Sequence, residues 1–393
     1  MGQKYKLNDL AYRKLEYGSG AAATEYDGSV RYIRISDIDE NGKLNDTVVS
    51  PSVYDDKYTL KDGDILFART GATVGKTYRF KETDGNFIFA GFLIRFSPNT
   101  SLVLPDYVYY FTKSPQYRQF VLRNMKVVAQ PNINAKQYGD LEFYVHSLKE
   151  QGCIVDKLIK IERLIDLRKE QFELLDNLIK SRFVEMFGDL NLNDKKWIEV
   201  SLEKACGVIH RYPTFYGMEY VEKGTPVVRI GNILSDGTVD DNLENYVNVY
   251  DTVNEDFPLT IIEKDDILMA VRGDGSAAKR IGIVKSDNLS GANLSPNLLR
   301  IKAKEGFTNS IFLFWYLTSD VGQKRLDTYV NKTAKKNIAA KDIKIVTTPV
   351  PPIELQNQFA TFVQQVDKLK VEVQNSLREA QLLFDSLMQK YFG

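Results

Sequence analysis

Cysteine and histidine are scarce in this chain. Its 393 residues include two Cys (Cys153, Cys206) and two His (His146, His210). Four residues this scattered cannot assemble a Cys/His zinc cluster, and they frame no set of disulfides. No metal site is expected, and the setting expected is a reducing cytoplasm. Net charge is also missing, because 52 Lys+Arg balance 52 Asp+Glu. That balance argues against a basic protein that coats nucleic acid without discrimination, while local basic patches remain open. The longest purely apolar run, residues 311–317, falls far short of a membrane span. The opening MGQKYKLNDL has no apolar signal segment, and Lys6 stands where a myristoylation signal wants Ser or Thr.

Catalytic signatures are missing too. There is no G-x-G-x-x-G after a strand, no G-x-S-x-G, no H-E-x-x-H and no Asn-Pro-Pro-aromatic motif. TGATVGKT (70–77) imitates a phosphate-binding loop, but Thr70 occupies the place of the required first Gly. The Tyr78-Arg79-Phe80 that follows reads as strand, whereas phosphate binding wants a helix N-terminus. The loop reads either as a solvated hairpin turn or as a segment whose Arg69, Thr70, Thr73 and Lys76 face a polyanion. Neither His has a catalytic partner nominated by spacing, and both Cys read as small buried hydrophobes. The chain is expected to catalyse nothing alone.

What is present is an internal repeat. RYIRISDIDENGKL (31–44) matches PVVRIGNILSDGTV (226–239) at an offset of 195, with Arg34 on Arg229 and Gly42 on Gly237. GDILFARTG (63–71) matches DDILMAVRG (265–273) at 202. From about residue 91 the offset settles at 205, placing NINAK (132–136) on NIAAK (337–341) and Gln151 on Gln356. The drift reads as loop insertions in the second copy. Each copy begins with short Tyr-, Ile-, Val- and Phe-rich runs broken by Gly, Asn and Asp, the pattern of short strands and turns.

Each copy ends in a long helical stretch. Ile154, Leu158, Ile161, Ile165, Phe172, Leu175 and Ile179 recur at steps of three and four, with Arg168 the one polar break. In the second copy Phe359, Val363, Val366, Val373, Leu377, Ala380 and Phe384 do the same, broken at Lys370. The period is that of a coiled-coil seam. A core helix of a bundle is the alternative, and the shared register favours pairing of the two helices. Each helix of about 35 residues would measure roughly 50 Å. Treating the repeat as a dyad makes the pair antiparallel. The fold expected is α+β: two mixed α/β domains (1–147 and 189–350) and two long helices (148–188 and 351–393).

Nucleic-acid binding has the most support among functions. NKTAKKNIAAKDIK (331–344) carries five Lys, and its counterpart KVVAQPNINAKQY (126–138) is rich in Asn and Gln. Lys and Arg neutralise phosphates, while Asn, Gln and Arg can pair with purine edges. If the copies read different half-sites, shared residues should be framework or phosphate contacts. These are Arg34/Arg229, Asn132/Asn337 and Lys136/Lys341. Base readers should differ: Arg69, Thr70 and Lys76 against Arg272, Asp274 and Lys279, or Gln130 against Lys335. Arg211 and Lys336 complete the candidates. A solvated charged face is the alternative for each run.

The ordered set YIRISDI (32–38) with VVRIGNI (227–233), GDILFARTGATVGKT (63–77), LDNLIKSRFVEMFGD (175–189) and PVPPIELQNQF (349–359) resembles the specificity subunit of type I restriction–modification systems. The resemblance covers essentially the whole chain. It departs where Pro351-Pro352 precede the second helix but His146-Ser147 precede the first. The resemblance implies two target recognition domains, each reading one half of an interrupted double-stranded DNA site. It also implies that the helix pair sets the spacing and docks two modification (methyltransferase) subunits. S-adenosylmethionine would belong to those partners, ATP and Mg to a further restriction subunit, and no cofactor to this chain. Near-neutral domains (19 basic and 17 acidic residues in 1–147, 21 and 22 in 189–350) suggest weak DNA binding without partners. Two other classes remain: a coiled-coil interaction scaffold without DNA reading, and a nucleotide-binding enzyme built on TGATVGKT.

Overall fold

The computed structural model describes residues 2–125, 131–211, 219–273, 280–331 and 336–393. The chain forms two compact units, one of residues 1–170 with 373–393 and the other of residues 171–372.

In the first unit an antiparallel four-stranded sheet has the order Glu16–Tyr17, Leu93–Phe96, Ile65–Ala68, Thr77–Arg79. The two central strands are buried at every position, so they do not alternate, and Arg95, paired with Glu16, is the one charged residue among them. A parallel pair, Arg31–Ile33 with Phe87–Phe89, and an antiparallel pair, Gln3–Lys6 with Glu142–Val145, complete its principal framework. Helices Pro105–Phe111 and Pro115–Met125 start at Pro, whose missing N–H is no loss in a first turn. Phe111 stacks on Phe143 at 4.0 Å in a core that also holds Ile154, Leu158, Met388 and Phe392.

The second unit repeats this plan. Its four-stranded sheet runs Cys206–Arg211, Leu298–Ala303, Ile267–Ala270, Ile281–Ile283. Thr225–Val228 pairs in parallel with Asn293–Leu294, and Ile198–Ser201 pairs with Thr347–Val350. Its core gathers Phe183, Phe187, Phe312 and Phe359, with Phe187 and Phe312 4.7 Å apart. The shared glycines explain themselves: Gly42 and Gly237 have φ of 75° and 78°. A Cβ there would meet Tyr109 Oη at 2.4 Å and Phe314 Cζ at 2.7 Å, respectively.

The long helices are Leu148–Phe187 and Ile353–Phe392, 40 residues each and about 60 Å at 1.5 Å per residue. They are a turn longer than the apolar stripe suggests, because their starts are fixed by capping. Ser147 and Glu150 form a reciprocal box: Ser147 N–H donates to Glu150 Oε2 at 3.0 Å, and Glu150 N–H to Ser147 Oγ at 3.4 Å. At the second helix Pro352 O instead accepts from Leu355 and Gln356.

The helices pack together antiparallel within each unit. In the first, Lys157 meets Tyr391 and Arg168 Nε donates to Ser376 Oγ at 3.1 Å. Lys370 pairs with Asp176 in the second and lies 5.0 Å over the Phe172 ring. Ile154, Leu158, Ile165, Ile179, Phe359, Val363, Val366 and Val373 are buried, and Ile161, Phe172, Leu175, Leu377 and Phe384 are half-buried. Both polar breaks in the stripe are therefore answered across the pair.

Two identical glutamines fasten helix to domain. Gln151 Oε1 accepts from Leu104 N–H at 2.8 Å, and its Nε2 donates to Leu102 O and His146 O. Gln356 does the same with Asn309 N–H, Phe307 O and Pro351 O. Cys206 is buried and its thiol is pushed up to about 12 by desolvation. Cys153 corrects the sequence expectation, since it lies exposed, one position off the seam. Among the described residues no helix is long and apolar enough to cross a membrane, and no group of His, Cys, Asp and Glu is placed to hold a metal.

Candidate nucleic-acid interface

The strand ladders define which residues correspond between the copies. Glu16 pairs with Arg95 and Tyr17 with Ile94, while His210 pairs with Arg300 and Arg211 with Leu299. Tyr17 and Arg211 are therefore equivalent. Ile133 N–H donates to Arg69 O, as Ile338 N–H donates to Val271 O. That sets Arg69 against Val271. Thr70 bridges Asn132 as Arg272 bridges Asn337. Phe92 O accepts from Arg69 N–H and Asn297 O from Val271 N–H, so Phe92 answers Asn297. All of these residues gather at one end of the four-stranded sheet in their own domain.

In the first domain Arg69 lies 4.7 Å over the Tyr17 ring and its Nε donates to Asn132 Oδ1 at 3.3 Å. Tyr17 Oη accepts from Ala135 N–H at 3.0 Å, which fixes the ring. Phe92 is 59% exposed beside them. Lys136 is exposed on the short helix Ala135–Gly139. Thr73 Oγ1 donates to Thr70 O at 3.0 Å, closing the turn Gly71–Thr73. A strand, Thr77–Arg79, follows that turn, so no helix N-terminus faces an anion there.

In the second domain Arg211 Nε donates to Pro296 O at 3.2 Å, and Nη2 is buried without a partner among the described residues. Burial, and then the like charge of Arg272, hold the Arg211 guanidinium below its ordinary pKa. Asn337 Oδ1 is likewise buried and unpartnered. Lys336 pairs its backbone with Gly273. His210, held below the usual imidazole value by burial and by Lys344, lies on the strand that carries Arg211.

Several sequence candidates are elsewhere. Arg34 is neutralised by Asp37, its Nη2 2.8 Å from Oδ1. Lys76 is turned onto Glu40 at 2.9 Å and Ile38 O, so its ammonium does not stand free for a phosphate. Its structural counterpart is Arg280 and not Lys279, because Ala68 N–H bonds Lys76 O as Ala270 N–H bonds Arg280 O. Arg229 and Lys341 are exposed. Gln130, Asp274, Lys279 and Lys335 lie outside the described residues. Tyr17, Phe92 and Asn297 carry no motif, and only the repeat-to-repeat ladder singles them out.

Comparison with known proteins places this arrangement. The type I restriction modification DNA specificity domain matches residues 3–177 and again 194–382. The specificity subunit of the EcoBI type I restriction enzyme of Escherichia coli is 24% identical over 316 residues, 72% of this chain. The alignment spans 64% of that subunit's length. A putative type I specificity subunit, MjaX of Methanocaldococcus jannaschii, is 24% identical over 82% of this chain and 76% of its own. In fold, the S subunit from M. genitalium matches with a TM-score of 0.59 at 16% identity, covering 100% of this chain and 96% of that one. A chain solved in a study of type I R-M complex assembly matches at 0.62 and 17% identity, over 100% and 97%. The chain belongs to the type I restriction–modification DNA specificity family, with two such domains in tandem.

Proposed function

We propose that each domain reads one half of an interrupted DNA sequence and that the helix pair sets the spacing while two methyltransferase subunits dock on it. The observation that carries this is the repeated sheet whose same end bears different side chains in the two copies: Tyr17, Phe92 and Thr70 against Arg211, Asn297 and Arg272. A framework that repeats while its tip diverges suits one fold addressing two sequences. S-adenosylmethionine then belongs to the docked partners, which methylate adenine in a flipped-out base, and ATP with Mg to a restriction subunit. The setting is the cytoplasm, where such partners and DNA meet.

Docking is supported by leucines left exposed on the long helices. Leu164, Leu167, Leu174 and Leu178 follow steps of three, seven and four, each at least 39% exposed. Leu369 and Leu383 repeat the first and last of them in the second helix. Exposed apolar rows of this kind mark protein interfaces. Leu174→Lys with Leu178→Lys should abolish co-purification with the methyltransferase while leaving thermal unfolding unchanged.

The deciding experiment is co-expression with the methyltransferase subunit and genome-wide mapping of N6-methyladenine by long-read sequencing. A two-part interrupted motif is expected, and exchanging residues 1–147 for those of another copy should change one half only. Change in both halves, or in neither, refutes the modular reading. The scaffold alternative predicts no effect of duplex DNA on assembly.

A further inference from the structure

Cations in the first domain are mostly neutralised at home. Arg79 meets Asp62 and Asp106, Arg95 meets Glu16, and Lys113 meets Glu162. Arg69 is different, with no carboxylate partner among the described residues. It is nevertheless held in place, stacked on Tyr17 from below and tied through Nε to Asn132. The platform is itself pinned by the Ala135 N–H. Side chains fixed this way lose little further freedom on binding. With Nε occupied, the donors left are those of Nη1 and Nη2. A planar pair of donors matches the O6 and N7 acceptors on the major-groove edge of guanine.

A backbone phosphate would be the other acceptor for a guanidinium. Phosphates are the same in both half-sites, so a phosphate contact should recur in both copies. Asn132 recurs as Asn337, but Arg69 is replaced by Val271. In the second domain the cations come instead from Arg211 and Arg272, at the places of Tyr17 and Thr70. Such a shift between strands moves the donor to a different base step.

Resting on the DNA-reading function above, we propose that Tyr17, Arg69 and Asn132 form a base-reading unit in which Arg69 pairs with a guanine of the half-site read by the first domain. Tyr17 and Asn132 are positioning residues that aim the guanidinium.

The test uses the full chain co-expressed with its methyltransferase subunit and mapping of methylated adenines. Arg69→Ala should relax one guanine position in one half-site, with discrimination there falling about 5- to 150-fold. Arg69→Lys should do nearly the same, because an ammonium cannot make the paired contact. Tyr17→Ala should relax the same position as Arg69→Ala, and Tyr17→Phe, which keeps the ring but loses the acceptor for Ala135 N–H, should relax it less. The other half-site should be unchanged throughout, which a purely structural role would not produce. A uniform loss of methylation with an intact motif, or a wild-type half-site without guanine, overturns this assignment while leaving DNA reading in place. A wild-type complex that methylates no two-part sequence overturns the DNA-reading function itself.

Discussion

Replacing Gln356 by Ala tests the joint between the second domain and its helix. The side chain is fully buried, accepts from Asn309 N–H at 2.9 Å and donates to Phe307 O at 3.3 Å and Pro351 O at 2.7 Å. Each net hydrogen bond is worth about 0.5–1.5 kcal/mol, and a buried group left unpaired costs about 1–3 kcal/mol. Some of these groups regain water after truncation, so the loss should be about 3–5 kcal/mol. With a urea slope of about 2–3 kcal/mol/M, the midpoint should fall by roughly 1–2 M. The readout is selective, because Trp197 and Trp315, the two tryptophans of the chain, both belong to this unit. Gln356→Met separates the causes: it keeps the volume but none of the bonds, and should fall nearly as far as Ala. Gln151→Ala should leave the tryptophan transition in place and shift the first unit's transition in far-UV circular dichroism. A Gln356→Met midpoint equal to wild type would refute the reasoning, since packing alone would then hold the joint.

Phe187→Ala should cost the second unit about 3–5 kcal/mol in the same urea assay, because its ring, itself fully buried, meets Phe183, Phe312 and Phe359. Asp266→Ala strips Arg300 of the carboxylate 2.7 Å from its Nε inside the sheet and should cost about 3–5 kcal/mol, while Lys264→Ala at the exposed pair nearby should be close to neutral. The His210 imidazole should titrate below 6.5 by NMR, and Lys344→Met should raise its midpoint part of the way, since burial is the larger cause. The folded state disfavours the imidazolium, so His210's contribution to stability is complete above pH 6.5 and is lost as the pH falls below it.

The repeat and the helix stripe are legible in the sequence because both rest on spacing. Gln151 over Gln356 shows itself as a match, but its purpose does not, since two of the three partners of each are backbone groups 47–49 residues away. The helix start was readable in Ser147-x-x-Glu150, a capping signal that the apolar stripe overshadows. Tyr17 and Arg69 are not readable as a pair, because only the sheet order brings these residues side by side. Residue type also misleads: Lys76 sits in the loop that imitates a phosphate-binding one, yet its charge is consumed by Glu40.

That last contrast changes the meaning of a zero net charge. A charge count treats Arg34, Lys76, Arg95 and Arg300 as equal to Arg69, Arg211 and Arg272. The first four are bound to carboxylates within their domains. The other three have none among the described residues, and all three lie on the end of the sheet where the copies diverge. Long-range attraction follows the sum of charges and is weak here, whereas selection follows the few that are unpaired and aimed. A neutral chain with cations localised in this way gains little from nonspecific DNA, so wrong sequences compete poorly with the right one. Adding Lys at remote exposed sites should therefore raise nonspecific affinity without sharpening the methylated motif, measurable by salt-dependent binding alongside methylation mapping.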